Sequence, residues 1–147
     1  DKIGTTNIHR VESTLEPASA AQAYAHTLSG FGDAPFDFPR FDLVLLGMGD
    51  DGHTASLFPG SQVEIDSATI AVTAHYQDRP ANRVSLTSKV FNHAREIWFL
   101  VTGAGKAETL RRVINGEKNL EQLPAQRIQP TDGKLVWMID EAAGKIL

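Results

Sequence analysis

The chain has 147 residues, a formal net charge of −4, 41% apolar and 22% charged residues, and no cysteine. That composition is ordinary for one soluble globular domain. It excludes disulfides, thiolate catalysis and cysteine–zinc sites, and it offers no basic face of the kind that nucleic acids or membrane surfaces require. No apolar run reaches the roughly 20 residues that span a bilayer, and Asp1-Lys2-Ile3-Gly4 is not the start of a signal peptide; a cytoplasmic setting is expected.

Asn7–Val11 is a short strand candidate. Pro17 suits the first position of a helix, where its missing N–H costs nothing. Ala18, Ala21, Ala25 and Leu28 then form a small-residue stripe at helical spacing, ended by Gly30 and Gly32. The segment 33–40 reads as a loop. Phe41-Asp42-Leu43-Val44-Leu45-Leu46 is nearly continuous apolar sequence, which predicts a strand covered on both faces of a parallel sheet. Ala68–Val72 and Arg83–Thr87 are further strands, the second alternating and half-exposed. Glu96–Val101 is another buried strand, followed by a helix over Lys106–Ile114 and a last strand over Leu135–Ile139. Glu141–Lys145 is read as a final helical turn. Strands alternating with helices imply an α/β fold with a mostly parallel sheet flanked by helices, formed as a single domain over residues 1–147. In such sheets the ligand site lies beyond the carboxyl ends of the strands.

Two glycine-rich loops occupy that position. Gly47-Met48-Gly49-Asp50-Asp51-Gly52-His53 follows the strongest strand directly. Glycines there allow positive φ and close approach to a ligand. A helix turn starting near Gly52 would present free N–H groups as an anion or oxyanion site, and His53 would stand beside it as a general base. Gly47-x-Gly49-x-x-Gly52 also matches the dinucleotide fingerprint. That reading needs an acid at the tip of the next strand, where the strand ends near Val72–Ala74 without one. Two adjacent aspartates in the loop would also repel a pyrophosphate. The plainest alternative is a tight turn around a structural histidine, and a histidine inside a glycine loop at a strand tip counts against it.

The run Gly47-Met48-Gly49-Asp50-Asp51-Gly52-His53-Thr54-Ala55-Ser56-Leu57-Phe58-Pro59-Gly60 resembles the signature of the 6-phosphogluconolactonases. The resemblance implies a domain similar to the sugar-phosphate isomerase and deaminase-like (modified Rossmann) fold, and hydrolysis of 6-phospho-D-glucono-1,5-lactone in the oxidative pentose phosphate pathway. It makes His53 the catalytic base and gives Asp51 the role of orienting it or holding a sugar hydroxyl. Gly47, Gly49 and Gly52 line the substrate, with N–H groups near Gly49–Gly52 offered to the oxyanion. The sister glucosamine-6-phosphate deaminases continue this loop with Asn-Glu-Pro. Here Leu57, Phe58 and Pro59 stand in those places, and Phe58 carries no proton where the deaminases have a glutamate. Hydrolysis is therefore preferred, with a deaminase-like enzyme or a non-catalytic sugar-phosphate-binding fragment as the alternatives.

Thr102-Gly103-Ala104-Gly105-Lys106 is the second loop. It is not a P-loop, since Leu100 replaces the first glycine and Ala107 follows the lysine. It still offers backbone N–H groups and one ammonium to a phosphate, and it is similar to a Thr-Gly-x-Gly-Lys segment of the same family. A solvated lysine in a connecting loop is the competing reading. The resemblance also gives an arginine ahead of the Ser85-Leu86-Thr87 segment a role in phosphate binding; Arg83 is chosen over Arg79 because it heads the strand Arg83–Thr87. Arg111 and Arg112 read as a solvated helix face. His9, His26, His75 and His93 have no partner at metal-ligand spacing, so neither a metal nor a cofactor is expected. The family carries further sequence ahead of this region, so the chain is expected to be incomplete at its N-terminus. Its own missing half, or another copy, is then the expected macromolecular partner beside a small sugar-phosphate lactone.

Overall fold

The computed structural model describes residues 3–75 and 81–147. Helix α1 spans Pro17–Ser29, with Pro17 in its first turn. The strands are β1 (Leu43–Gly47), β2 (Thr69–Thr73), β3 (Asn82–Leu86), β4 (Glu96–Val101) and β5 (Lys134–Ile139). Between them lie a single-turn helix α2 (Ser88–Phe91) and helix α3 (Ala107–Asn115). The α/β class and the parallel sheet hold, and most boundaries fall within two residues of expectation.

The strands do not form one sheet. β1, β4 and β5 make a parallel three-stranded sheet in the order β1-β4-β5, while β2 and β3 pair only with each other, antiparallel. The β2–β3 ribbon packs under α1, where Thr69 Oγ1 donates to the Ala21 carbonyl at 2.7 Å. The buried stripe of α1 is Ala20, Ala21 and Leu28, while Ala18 is exposed.

One face of the three-stranded sheet is an apolar core. Val44, Leu46, Ile97, Phe99 and Val101 point into it against Leu110 and Val113 of α3 and against Leu57, Leu123, Ala125 and Ile128 from the connections. Trp137 of β5 stacks on Phe99 with centroids 4.1 Å apart. Burial of each of the valine, leucine, isoleucine and phenylalanine side chains here contributes about 1.5–3 kcal/mol. Much of the opposite face is exposed among the described residues, with Trp98 and Val136 half-buried on it. Leu43, Leu45, Leu100 and Met138 are exposed, Leu45 at 59%. The expectation that β1 is covered on both faces is thus met on one face only.

Two further expectations are corrected. Asn7–Val11 forms no strand: a 3₁₀ turn occupies Thr5–Asn7 and the following residues are irregular, without a partner strand among the described residues. Glu141–Lys145 does not propagate into a helix: Asp140 Oδ1 accepts the Ala143 N–H at 2.8 Å as a helix N-cap does, and the Gly144 N–H reaches the Asp140 carbonyl at 3.0 Å, but only this single turn forms.

Candidate active site

β1 and β4 are parallel neighbours, with Gly47 paired to Leu100. The two glycine-rich loops therefore leave the same end of the sheet side by side, and the crevice between them is the position where open α/β sheets bind ligands. A cavity of about 660 Å³ opens there, lined by Gly47, Met48, Gly49, Asp50, His53 and Ala55 from the first loop and by Thr102, Gly103, Gly105 and Lys106 from the second. That volume is ordinary for a small-molecule site.

His53 is buried, and its Nδ1 lies 2.6 Å from Asp51 Oδ1. The same carboxylate oxygen accepts the His53 backbone N–H at 3.0 Å. A carboxylate accepts only, so Nδ1 carries the proton and Nε2 is left as the basic nitrogen. Thr54 Oγ1 donates to the Gly47 carbonyl at 2.8 Å, tying the loop back to the end of β1. Gly49 is required by close approach: a Cβ there would lie 2.2 Å from His53 Nδ1 and 2.7 Å from Asp51 Oδ1. Gly52 takes φ +86, and a Cβ there would also meet Leu123 at 2.9 Å. At Gly47 no neighbour lies within 4 Å of such a Cβ, so its role is only to border the cavity.

No helix begins at Gly52. The loop closes on itself, with the Gly49 N–H donating to the His53 carbonyl at 2.8 Å and the Gly52 N–H to the Gly49 carbonyl at 3.1 Å. Of the amides near Gly49–Gly52 expected to face an oxyanion, those of Gly49 and Gly52 close the loop instead. Gly49 lines the cavity, whereas Gly52 packs behind it against Leu123 and Thr109.

Lys106 closes the other wall. It lies at the end of a 3₁₀ turn (Ala104–Lys106) leading into α3, and its Nζ donates to the Met48 carbonyl at 2.5 Å, spanning the two loops. The loop beneath it is held by Asp140 at the end of β5, whose carboxylate accepts the Gly103 N–H at 3.0 and 3.1 Å. Thr109 Oγ1 of α3 donates to the Asp50 carbonyl at 2.6 Å. Asp140 and Thr109 carry no sequence signal of their own, because both act on loops far away in the chain.

Arg83 is the second residue of β3 and does not line the main cavity. Its Cζ lies 5.1 Å from the centre of the Phe58 ring, and that ring lies 4.6 Å from the His53 imidazole. In the sequence Phe58 signals only the absence of a proton carrier; in the fold it touches both His53 and Arg83. Arg79 lies outside the described residues. Arg111 pairs with Glu108 on the exposed face of α3, where the hydrogen bond raises the pKa of Arg111 and lowers that of Glu108. His26 is exposed, and His93 packs on Phe36 and Phe38. Among the described residues no group of His, Asp and Glu side chains is placed to hold a metal ion, and no helix is long and apolar enough to cross a membrane.

Residues 1–137 match the family described as glucosamine-6-phosphate isomerases/6-phosphogluconolactonase. The chain is 38% identical to the 6-phosphogluconolactonase of Synechocystis over 147 residues, covering 99% of this chain and 60% of that protein. It is 40% identical to the rat enzyme of the same name, covering 91% of this chain and 53% of that protein. Among solved structures it superposes on the devB protein with a TM-score of 0.85 at 37% identity, over 99% of this chain and 61% of the other. The 6-phosphogluconolactonase of Thermotoga maritima gives a TM-score of 0.78 at 28% identity, over 93% and 57%. A monomeric glucosamine-6-phosphate deaminase shares the fold, with a TM-score of 0.70 at 23% identity. The chain spans a little over half the length of the curated relatives it matches, and it belongs to the glucosamine-6-phosphate isomerase/6-phosphogluconolactonase family.

Proposed function

We propose that this chain carries the catalytic base and part of the phosphate site of a 6-phosphogluconolactonase, which hydrolyses 6-phospho-D-glucono-1,5-lactone to 6-phospho-D-gluconate. The observation that carries this reading is the buried His53–Asp51 pair at 2.6 Å, in a cavity whose far wall holds Lys106. Nε2 of His53 accepts a proton from water as the water oxygen attacks the lactone C1. The tetrahedral intermediate collapses by breaking the bond between C1 and the ring oxygen, and His53 returns the proton to that oxygen. Asp51 keeps the proton on Nδ1 and stabilises the transient imidazolium. Lys106 and Arg83 hold the phosphate by charge-assisted hydrogen bonds. The names of the curated relatives support the substrate, and Phe58 at the position of the deaminase glutamate weighs against amine chemistry.

His53→Ala in the full-length natural protein is the test. Loss of a general base should lower kcat by about 10²–10⁴-fold once spontaneous lactone hydrolysis is subtracted. A variant that keeps most of its kcat would remove His53 from the chemistry.

The exposed sheet face favours a second reading for the isolated chain. Leu43, Leu45, Leu100 and Met138 form an apolar surface that a stable monomer does not normally leave open. The occupant we propose is the additional sequence that the longer relatives carry, with a second copy as the alternative. Without it, the 147 residues would bind a sugar phosphate weakly and turn over little lactone. A cytoplasmic setting fits a phosphorylated metabolite and a chain without cysteine.

A further inference from the structure

We propose that Phe58 is a positioning residue that couples the phosphate-binding cation to the catalytic base, an inference that rests on the lactonase reading above. The Phe58 ring stands between the two groups: its centroid is 4.6 Å from that of His53 at an interplanar angle of 32°, and Arg83 Cζ lies 5.1 Å from the same centroid. The arrangement follows from how the first loop is docked. Arg83 and Ser85 are two apart on β3 and so share one face of the strand. Ser85 Oγ accepts the Ser56 backbone N–H at 3.2 Å, and this bond lays residues 56–58 along that face. Two residues past Ser56, Phe58 meets Arg83.

The ring acts on both partners. Its face is negative, so it attracts the guanidinium and restrains its long stem. A planar guanidinium presents its N–H donors in a fork that matches two phosphate oxygens. Toward His53 the ring is an inert wall. It limits the swing of the imidazole away from Asp51 and offers no group that exchanges protons with it. Phosphate seated on Arg83 therefore also fixes the wall behind the base.

A double-mutant cycle on the full-length natural protein tests this. F58L, R83Q and the double variant are compared for kcat and KM with the lactone, and for 6-phosphogluconate binding by calorimetry. Loss of the ring should weaken 6-phosphogluconate binding by about 2- to 30-fold, the range of a cation–π contact, and should lower kcat as well. If Phe58 acts through Arg83, the double variant binds no more weakly than R83Q alone, and F58W, which keeps an aromatic face, binds close to the parent. A purely structural role would lower the melting temperature and leave the binding constant of the folded protein unmoved. A folded F58L that binds as tightly as the parent overturns the proposal, and so do losses that multiply in the double variant. F58M serves the same cycle if F58L does not fold. A parent protein that neither turns over the lactone nor binds 6-phosphogluconate overturns the lactonase reading, and this one with it. An active parent with independent effects at 58 and 83 overturns this one alone.

Discussion

Replacing Gly49 by alanine adds one methyl group at the point where the first loop passes closest to the base. That methyl would lie 2.2 Å from His53 Nδ1, 2.3 Å from Cε1 and 2.7 Å from Asp51 Oδ1. Carbon prefers about 3.5–4.0 Å from such atoms, so the imidazole must retreat by more than about 1 Å. The backbone at Gly49 is not in the left-handed region, so the perturbation is steric and is confined to the His53–Asp51 pair. That pair sits at 2.6 Å and cannot survive such a shift. A displacement of 1 Å at a reacting group costs on the order of 10²-fold in rate, and the full loss of base function costs about 10²–10⁴-fold. G49A should therefore lower kcat by about 10²-fold or more. The stability cost is that of one overpacked methyl, about 1–3 kcal/mol. Steady-state hydrolysis by the full-length natural protein measures the first effect and urea unfolding the second. In a H53A background the G49A change should lower kcat no further, because the group it displaces is already gone. A folded G49A enzyme with kcat within threefold of the parent would refute the reasoning, as would a further large loss in the H53A background.

The other outcomes concern binding and architecture. K106A and R83A should each raise KM more than they lower kcat, by an amount near the roughly 1.5–3 kcal/mol of a hydrogen bond to a charged group, with weaker competition by 6-phosphogluconate; unchanged competition would move the phosphate role elsewhere, first to Arg79. Arg127 is buried and donates to the carbonyls of Leu120, Ser61 and Gln62 and to Ser61 Oγ, which pins the chain after the first loop. Burial holds its pKa below the usual arginine value, with Glu121 opposing. R127L leaves those acceptors unsatisfied and should cost at least about 3 kcal/mol in urea unfolding, so a smaller loss would mean that water replaces the guanidinium. The 147 residues expressed alone should aggregate, bind an apolar dye and show negligible lactonase turnover, and L45K should reduce the aggregation. In the full-length natural protein the same L45K should destabilise, since it buries an unpaired charge. A monomeric, dye-silent and fully active 147-residue chain would contradict both expectations.

The local features were written in the chain. Apolar runs bounded by turn residues marked β1, β4 and β5, and Pro17 with Gly30 marked the ends of α1, because strand burial and helix termination depend on residues close in sequence. The glycine–aspartate–histidine loop was legible as chemistry for the same reason: Asp51 and His53 are two residues apart, and their contact needs no distant element. What the sequence could not decide was adjacency. β1 and β4 lie about fifty residues apart in the chain, and only their pairing brings Lys106 to the Met48 carbonyl and so makes one cavity of two loops. The Asn7–Val11 segment reads as a strand candidate but pairs with no edge among the described residues, and a strand exists only with its partner. Gly52 could have begun a helix on local grounds, yet the Gly49 and Gly52 N–H groups are taken up within the loop, by the His53 and Gly49 carbonyls. The contact of Phe58 with Arg83 depends on docking that loop onto a ribbon built from residues 69–86, because side chains so far apart in the chain meet only when tertiary packing fixes both backbones.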